Sequence, residues 1–368
     1  VNILLLSSHF YNQDAVLMEL INVCKMIGNT KIITYSTEEY NLGYLTNVLL
    51  KNRQKALTAF GLIKHIVKAI NLMLKINVDI LFIDDFTSSI TAYILCKIFK
   101  IKMVVLFSRE LYIDVKMPGF GKYFVKYERI MYNKADIIIA CNVKRAEIMQ
   151  DYYKLETTPF VFENIRNLDV KYDKIAMDIK YANFFNAKIN IIATGGVSLE
   201  RGTERLIRAM TFFPDYDLYI IGKGKNDSYE HVVAVIHELH LDNVYILDRV
   251  ILSELKYLVT RSDIGIVEYH QKNLNNIYCA SGKIYEYLFE GLPVVTTENY
   301  SLKYMCEQYN IGVADNNFID GIRKVADNLY LYKKAVKEYI MNISVLENNI
   351  KLAEFIKFIY NKKYLKNR

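Results

Sequence analysis

The chain has 368 residues, 52% of them hydrophobic, with five cysteines and a formal net charge of +7. That length supports two separate cores, and no apolar run approaches the ~20 residues that a membrane-spanning helix needs. The cysteines (Cys24, Cys96, Cys141, Cys279 and Cys306) are scattered and show no paired spacing, which argues against a disulfide framework or a zinc site. The opening NILLLSSHF is too short for a secretory core and reads as a first strand, so a cytoplasmic, reducing location is expected. Abundant Tyr, Lys, Ile and Asn without Trp fits an AT-rich bacterial coding bias.

In chain order, strand-like runs alternate with helix-like runs, the pattern of parallel sheets. The first half offers NILLLS, KIITYS, DILFID, KMVVLF and DIIIAC, with FVFEN as one more. The second half offers INIIATG, YDLYIIG, NVYIL, DIGIVEY and LPVVTT. These runs are mostly apolar rather than alternating, as in strands covered on both faces. Two such sets predict an α/β chain of two Rossmann-like domains, residues 1–170 and 171–345, followed by a basic helix over 346–368.

Ligands of open α/β sheets bind beyond the carboxyl ends of the strands. Polar clusters fall there: Ser8–His9–Phe10, Asp84–Asp85, Ser108–Arg109–Glu110, Gly195–Gly196, Gly222–Lys223–Gly224 and Glu268–Tyr269–His270. The Gly222–Gly224 pair lacks a third glycine, with Asp227 in its place, so it is a poor dinucleotide fingerprint and no cofactor is expected. Asp215–Tyr216–Asp217 is a DxD string, but it opens a strand, the wrong end for a ligand, and no metal is expected. Between Glu39 and Asp79 there is no acid, while Lys51, Arg53, Lys55, Lys64, Lys68 and Lys75 are interleaved with apolar residues. Such a segment suits either an anionic membrane surface or an ordinary sheet-covering helix with a basic outer face.

The most informative stretch is CASGKIYEYLFEGLPVV, Cys279 to Val295. Ser281 is a good N-cap, Gly282 to Phe289 makes two helical turns, Gly291 stops the helix and Pro293 enters a strand. Lys283 and Glu286 are three apart and share one face near the helix start. Exposed N–H groups and a lysine suit a phosphate, and a carboxylate one turn on suits a sugar diol. Upstream, Gly195–Gly196 follows a strand and allows close approach of backbone to an anion, and Arg201 can clamp a pyrophosphate.

This stretch resembles the donor-binding segment of GT-B glycosyltransferases of family 4, in its K-x-x-E-Y-x-x-x-G-x-P-V-V form. TGGVSLERGTERLIRAM, LYIIGKG, LDRVILSEL and SDIGIVEY follow the same family's order. The likeness is good over the C-terminal half and holds in outline over the rest. It implies a GT-B fold with a cleft between the domains and a last helix that crosses back to the first domain. The implied activity is transfer of a sugar, with retention, from a nucleoside diphosphate-sugar to a glycan acceptor. By resemblance the donor site comprises Gly195, Gly196, Arg201, Gly222, Arg249, Val250, Ser281, Gly282, Lys283 and Glu286, with Glu286 on the ribose and Asp248–Val250 beside the base. Arg109, Glu110 and His9 are the candidates on the acceptor side, for positioning the hydroxyl or stabilising charge. A lipid-linked oligosaccharide at the cytoplasmic membrane face, in bacterial surface polysaccharide (capsule) synthesis, is the expected acceptor, and no nucleic acid is expected as a partner. One departure stands out: many members carry a second glutamate where this chain has Tyr278. A nucleotide-sugar epimerase of the same fold, or a non-catalytic partner of another transferase, are the alternatives.

Overall fold

In a computed structural model, which describes residues 1–11, 14–50, 58–113 and 117–364, the chain divides into two compact units. One is Val1–Asn164 with Val345–Arg368, the other Ile165–Ser344. Each is built on a parallel sheet.

The first sheet has seven strands: β1 (Asn2–Phe10), β2 (Asn29–Ser36), β3 (Leu45–Leu49), β4 (Ile80–Asp84), β5 (Met103–Ser108), β6 (Ile137–Ala140) and β7 (Phe160–Val161). Their order is β3-β2-β1-β4-β5-β6-β7. The second has six: β8 (Ile189–Ala193), β9 (Tyr216–Ile221), β10 (Val244–Leu247), β11 (Ile264–Val267), β12 (Val294–Thr296) and β13 (Gly312–Ala314), ordered β10-β9-β8-β11-β12-β13. This is the expected α/β architecture. Successive residues of a strand point to opposite faces, yet Leu4 and Leu5 are both fully buried, as are Leu81 and Phe82. Helices therefore cover both sides, which is why these runs are apolar throughout.

Two strands had no clear signature. β3 (LTNVL) and β13 (GVA) stand at sheet edges. β3 is only partly buried and mixes polar residues into a short run.

The helix Val345–Tyr364 belongs to the first unit, burying Leu352, Ala353, Ile356 and Tyr360. Phe355 stacks on Phe160 of β7 at 4.6 Å between ring centroids, and Lys363 pairs with Asp136. The helix Ala59–Met73 buries Gly61, Leu62, His65, Ala69 and Met73. Its other face exposes Phe60, Ile63, Val67 and, just past its end, Leu74, together with Lys64, Lys68 and Lys75. The remaining members of the basic window, Lys51, Arg53 and Lys55, lie outside the described residues. Phe120 and Tyr123 are also exposed, at the start of a helix whose Phe124 shares a small core with Leu62, Phe86 and Ile90. No helix among the described residues is long and apolar enough to cross a membrane.

Candidate functional site

In the second unit, the loops after β8, β9 and β10 stand side by side. Gly196 and Gly222 both have positive φ, +70° and +104°. A Cβ built on Gly222 would lie 3.3 Å from the Gly196 Cα, so the two turns touch backbone to backbone. Val197 N–H donates to the Gly222 carbonyl at 2.9 Å, and Gly222 N–H to the Leu247 carbonyl at 2.9 Å. The second bond sets the Asp248–Val250 loop beside the Gly222 turn. Lys223 pairs with Asp248 at 2.9 Å, while Arg249 is exposed and Val250 half-buried.

The helix Gly282–Phe289 brings the remaining residues to this edge. Its Tyr287 hydroxyl lies 2.8 Å from Thr194 N, as acceptor, and 2.9 Å from Thr194 Oγ1. Its ring occupies the space over Gly265 of β11, where a Cβ would come within 2.4 Å of a ring carbon. The helix is thereby pinned, through its last turn, to the end of β8. Lys283 Nζ comes to 3.0 Å and Arg201 Nη1 to 3.7 Å from a Cβ built on Gly195. Three expected donor residues from separate elements thus meet at one place. Burial first, then the Arg201 charge, pulls the Lys283 ammonium down to about 8, against the pull of Glu286 and Glu268. Burial pushes the Glu286 carboxyl up, countered by Arg166 and Lys283. Two cations held together, with Glu268 and Glu286 as their nearest opposing charges, form a ready seat for an anion.

One detail differs from the sequence reading, and others complete the site. Ser281 takes the N-cap position, but its hydroxyl is buried and makes no capping bond. The first-turn N–H groups thus have no cap from it. Glu290, at the end of the same helix, pairs with Lys256 at 3.4 Å rather than with Lys283. The Tyr278 ring packs against Tyr300, 5.5 Å between centroids. Asp217 accepts from Tyr219 at the opposite end of β9 from the glycine turns.

Four residues at this site were given no role by the sequence. Arg166 crosses the helix start, 2.6 Å from where a Cβ on Gly282 would stand, so only glycine leaves room for it. Thr203 donates to Glu268. Glu268 was legible as part of a polar cluster at a strand end, but without a role. Tyr287 reads as core until its hydroxyl is seen on Thr194.

In the first unit, Arg109 is nearly buried and bound on both sides. Its Nε and Nη2 donate to the two Asp84 oxygens at 2.6 and 2.7 Å, and its Nη1 to Asp14 at 2.8 Å. This bidentate geometry commits Arg109 to the carboxylates it holds. His9 Nδ1 lies 3.2 Å from Asp14, and its Nε2 lies 3.6 Å from Asp85, an ion-pair rather than a hydrogen-bond distance. Burial and the Arg109 charge pull the imidazole down, but Asp14, Asp85 and Asp84 outweigh them and raise it to about 9. Asp14 is disfavoured as an ion by burial, yet His9 and Arg109 hold it below the usual carboxylate range. Asp85 has φ +67°, strained for a non-glycine residue, and its Oδ1 is buried without a partner. Glu110 is half-exposed and pairs with Arg145 at 3.4 Å. His65, by contrast, is a core residue, bonded to Thr91 and the Ser7 carbonyl and kept neutral by burial, with its pKa at about 4.

No protein-family model and no curated protein matches the sequence. Solved structures match along nearly the whole chain. Sucrose-phosphate synthase from Thermosynechococcus elongatus aligns with a TM-score of 0.68 at 12% identity, covering 99% of this chain and 98% of that one. Anabaena HepE, solved with UDP and glucose, gives 0.67 at 13% identity over 96% and 99% of the two chains. WaaG, a glycosyltransferase involved in lipopolysaccharide biosynthesis, gives 0.67 at 14% identity over 96% and 99%. At such identities the likeness speaks for the fold, and the fold is GT-B.

Proposed function

We propose that this chain is a glycosyltransferase that moves a sugar from a nucleoside diphosphate-sugar to a glycan acceptor. The observation that carries the reading is the meeting of Lys283 and Arg201 over Gly195. On this reading the two cations and the first turn of the Gly282–Phe289 helix neutralise the departing diphosphate without a metal. Glu286, one turn on, receives the ribose hydroxyls. Stabilising the leaving group lowers the barrier to an oxocarbenium-like sugar centre, the transition-state character of glycosidic bond cleavage. The UDP–glucose complexes of HepE support a UDP-sugar as the donor to try first. Retention of configuration follows from the family resemblance. On the acceptor side, Glu110 and the His9–Asp85 pair are the groups placed to meet a hydroxyl, with Arg109 behind them.

The exposed apolar and basic face of Ala59–Met73 supports an acceptor carried on an anionic membrane, as in bacterial surface polysaccharide synthesis. WaaG's role in lipopolysaccharide biosynthesis agrees with that class of acceptor.

A panel of UDP-, GDP-, CDP- and dTDP-sugars tests the donor half by thermal shift. The true donor, at a hundred times its Kd, adds about 2.7 kcal/mol to the stability of the folded state. A panel in which no nucleotide sugar raises the melting temperature would remove the donor-site reading.

A further inference from the structure

Glu268 is a carboxylate that the donor chemistry above leaves unused. It follows β11 directly and is 6% exposed. Its Oε1 accepts from the Thr203 hydroxyl at 2.7 Å. The same hydroxyl oxygen accepts from Ser198 N–H at 3.0 Å, and the Ser198 carbonyl receives the N–H groups of Arg201, Gly202 and Thr203. The carboxylate is therefore the anchor of the turn that carries Arg201. Its other oxygen, Oε2, is buried and has no hydrogen-bond partner, a costly state for a polar atom. Burial pushes the group up, while Thr203 and the charges of Lys283, Arg201 and Arg205 oppose that push.

We propose that Glu268 is a positioning residue and resident counter-ion of the diphosphate site. It holds the Arg201 turn through Thr203, balances Arg201 and Lys283 while the site is empty, and takes up a proton when the diphosphate of a nucleotide sugar arrives. The inference rests on the donor-site reading and adds a proton to it. Arg201 and Lys283 are balanced in the empty site by Glu268 and Glu286. A diphosphate diester brings two more negative charges to the same cations, and like charge in a buried site favours the neutral acid. The proton comes from solvent and goes to Oε2, turning an empty acceptor into a donor for a phosphate oxygen; no other bond changes.

The groups facing Glu268 are Thr203, Arg201 and Arg205 on one side. Lys283 and Tyr287 face it from the Gly282–Phe289 helix, with Glu286 and Arg166 coupled to Lys283. Lys283, at about 8, is fully protonated near pH 6, so proton uptake there does not come from it.

The test is calorimetry of UDP-glucose, and of GDP-mannose, at about pH 6 in two buffers of different ionisation enthalpy, which counts protons per ligand bound. Neither sugar nucleotide's diphosphate titrates there. The wild-type chain should take up a substantial fraction of one proton, and its affinity should fall as pH rises toward 8. Glu268→Gln keeps an acceptor for Thr203; it should take up none near pH 6 and bind with an affinity independent of pH between about 6 and 7, below the range in which Lys283 loses its proton. Thr203→Val removes the anchor but keeps the carboxylate, so it should bind several-fold more weakly with uptake retained. A purely structural Glu268 would lower affinity in the Gln variant without changing the proton count. Overturning results are a wild type that binds without uptake, or a Gln variant that takes up as many protons as the wild type, which would move the proton to Glu286. If Glu268→Gln melts far below the wild type, the wild-type count and the Thr203→Val count decide. Binding of neither sugar nucleotide by the wild type would remove the donor-site reading and this inference together.

Discussion

Lys283 Nζ and the Cα–H of Gly195 face each other so closely that a methyl group at position 195 would stand 3.0 Å from the ammonium. This contact joins the loop after β8 to the first turn of a helix that begins 87 residues later. Gly195→Ala should therefore displace the flexible lysine rather than the backbone. Donor affinity should fall by about 1 kcal/mol, the net scale of one ordinary hydrogen bond, because the displaced lysine keeps part of its contact, with the melting temperature little changed. Calorimetry with the donor found by the panel checks it; unchanged affinity would mean that Lys283 does not serve the diphosphate.

The roles of Glu286 and of the two cations are separable. Glu286→Gln should weaken nucleoside diphosphate binding by about 1.5–3 kcal/mol, and should affect an analogue lacking ribose much less. Arg201→Ala and Lys283→Ala should hurt the diphosphate more than the bare nucleoside. They should also lower turnover, because charge on the leaving group grows in the transition state. Binding of nucleoside, diphosphate and analogue by the three variants shows the pattern, and a Gln variant that binds all of them normally would place the ribose elsewhere.

Lys283 also gives the site a pH limit. Its pKa in the folded chain, about 8, lies below its value of 10.5 in the unfolded chain. Between those values the unfolded state binds more protons, so this residue's contribution to stability rises with pH there. Donor binding has the opposite sign, since the anion needs the ammonium, and affinity should fall above about pH 8. Lys283→Arg, which stays charged, should push that fall to higher pH; identical pH profiles for the two proteins would assign it to another group.

On the acceptor side, His9 is raised to about 9 from 6.5. Its contribution to stability is full below about pH 6.5 and is lost as pH rises through about 9, up to about 3 kcal/mol if no other group compensates. His9→Gln should flatten the stability curve over that window in urea melts. Asp84→Asn, which leaves the buried Arg109 short of a charge partner, should cost about 3–5 kcal/mol at neutral pH. A His9 ring that titrates near 6.5 by NMR would show that the two aspartates do not hold its proton.

The helix Ala59–Met73 should bind vesicles of anionic lipid, with binding weakened by salt. Lys64→Glu with Lys68→Glu should release the chain from vesicles and leave soluble donor binding intact. Vesicle binding that survives the double change would return this helix to a plain covering role.

The sequence by itself determined the two parallel sheets, because strands buried on both faces must be apolar at every position, and that signal is local. It also determined the Gly282–Phe289 helix, whose stop at Gly291, φ +81°, requires a residue without a Cβ. The edge strand β3 escaped it because partial burial removes the continuous apolar run, and β13 because three residues are too short a run to stand out. The tertiary structure alone decided which charges meet. Nothing near Arg109 in the sequence points to Asp14, 95 residues away. Nothing near Thr203 points to Glu268, 65 residues away, and nothing near Gly282 points to Arg166. Charge pairing depends on distance in space, and a parallel sheet sets that distance by strand order and register, which bring the ends of separate strands to one edge.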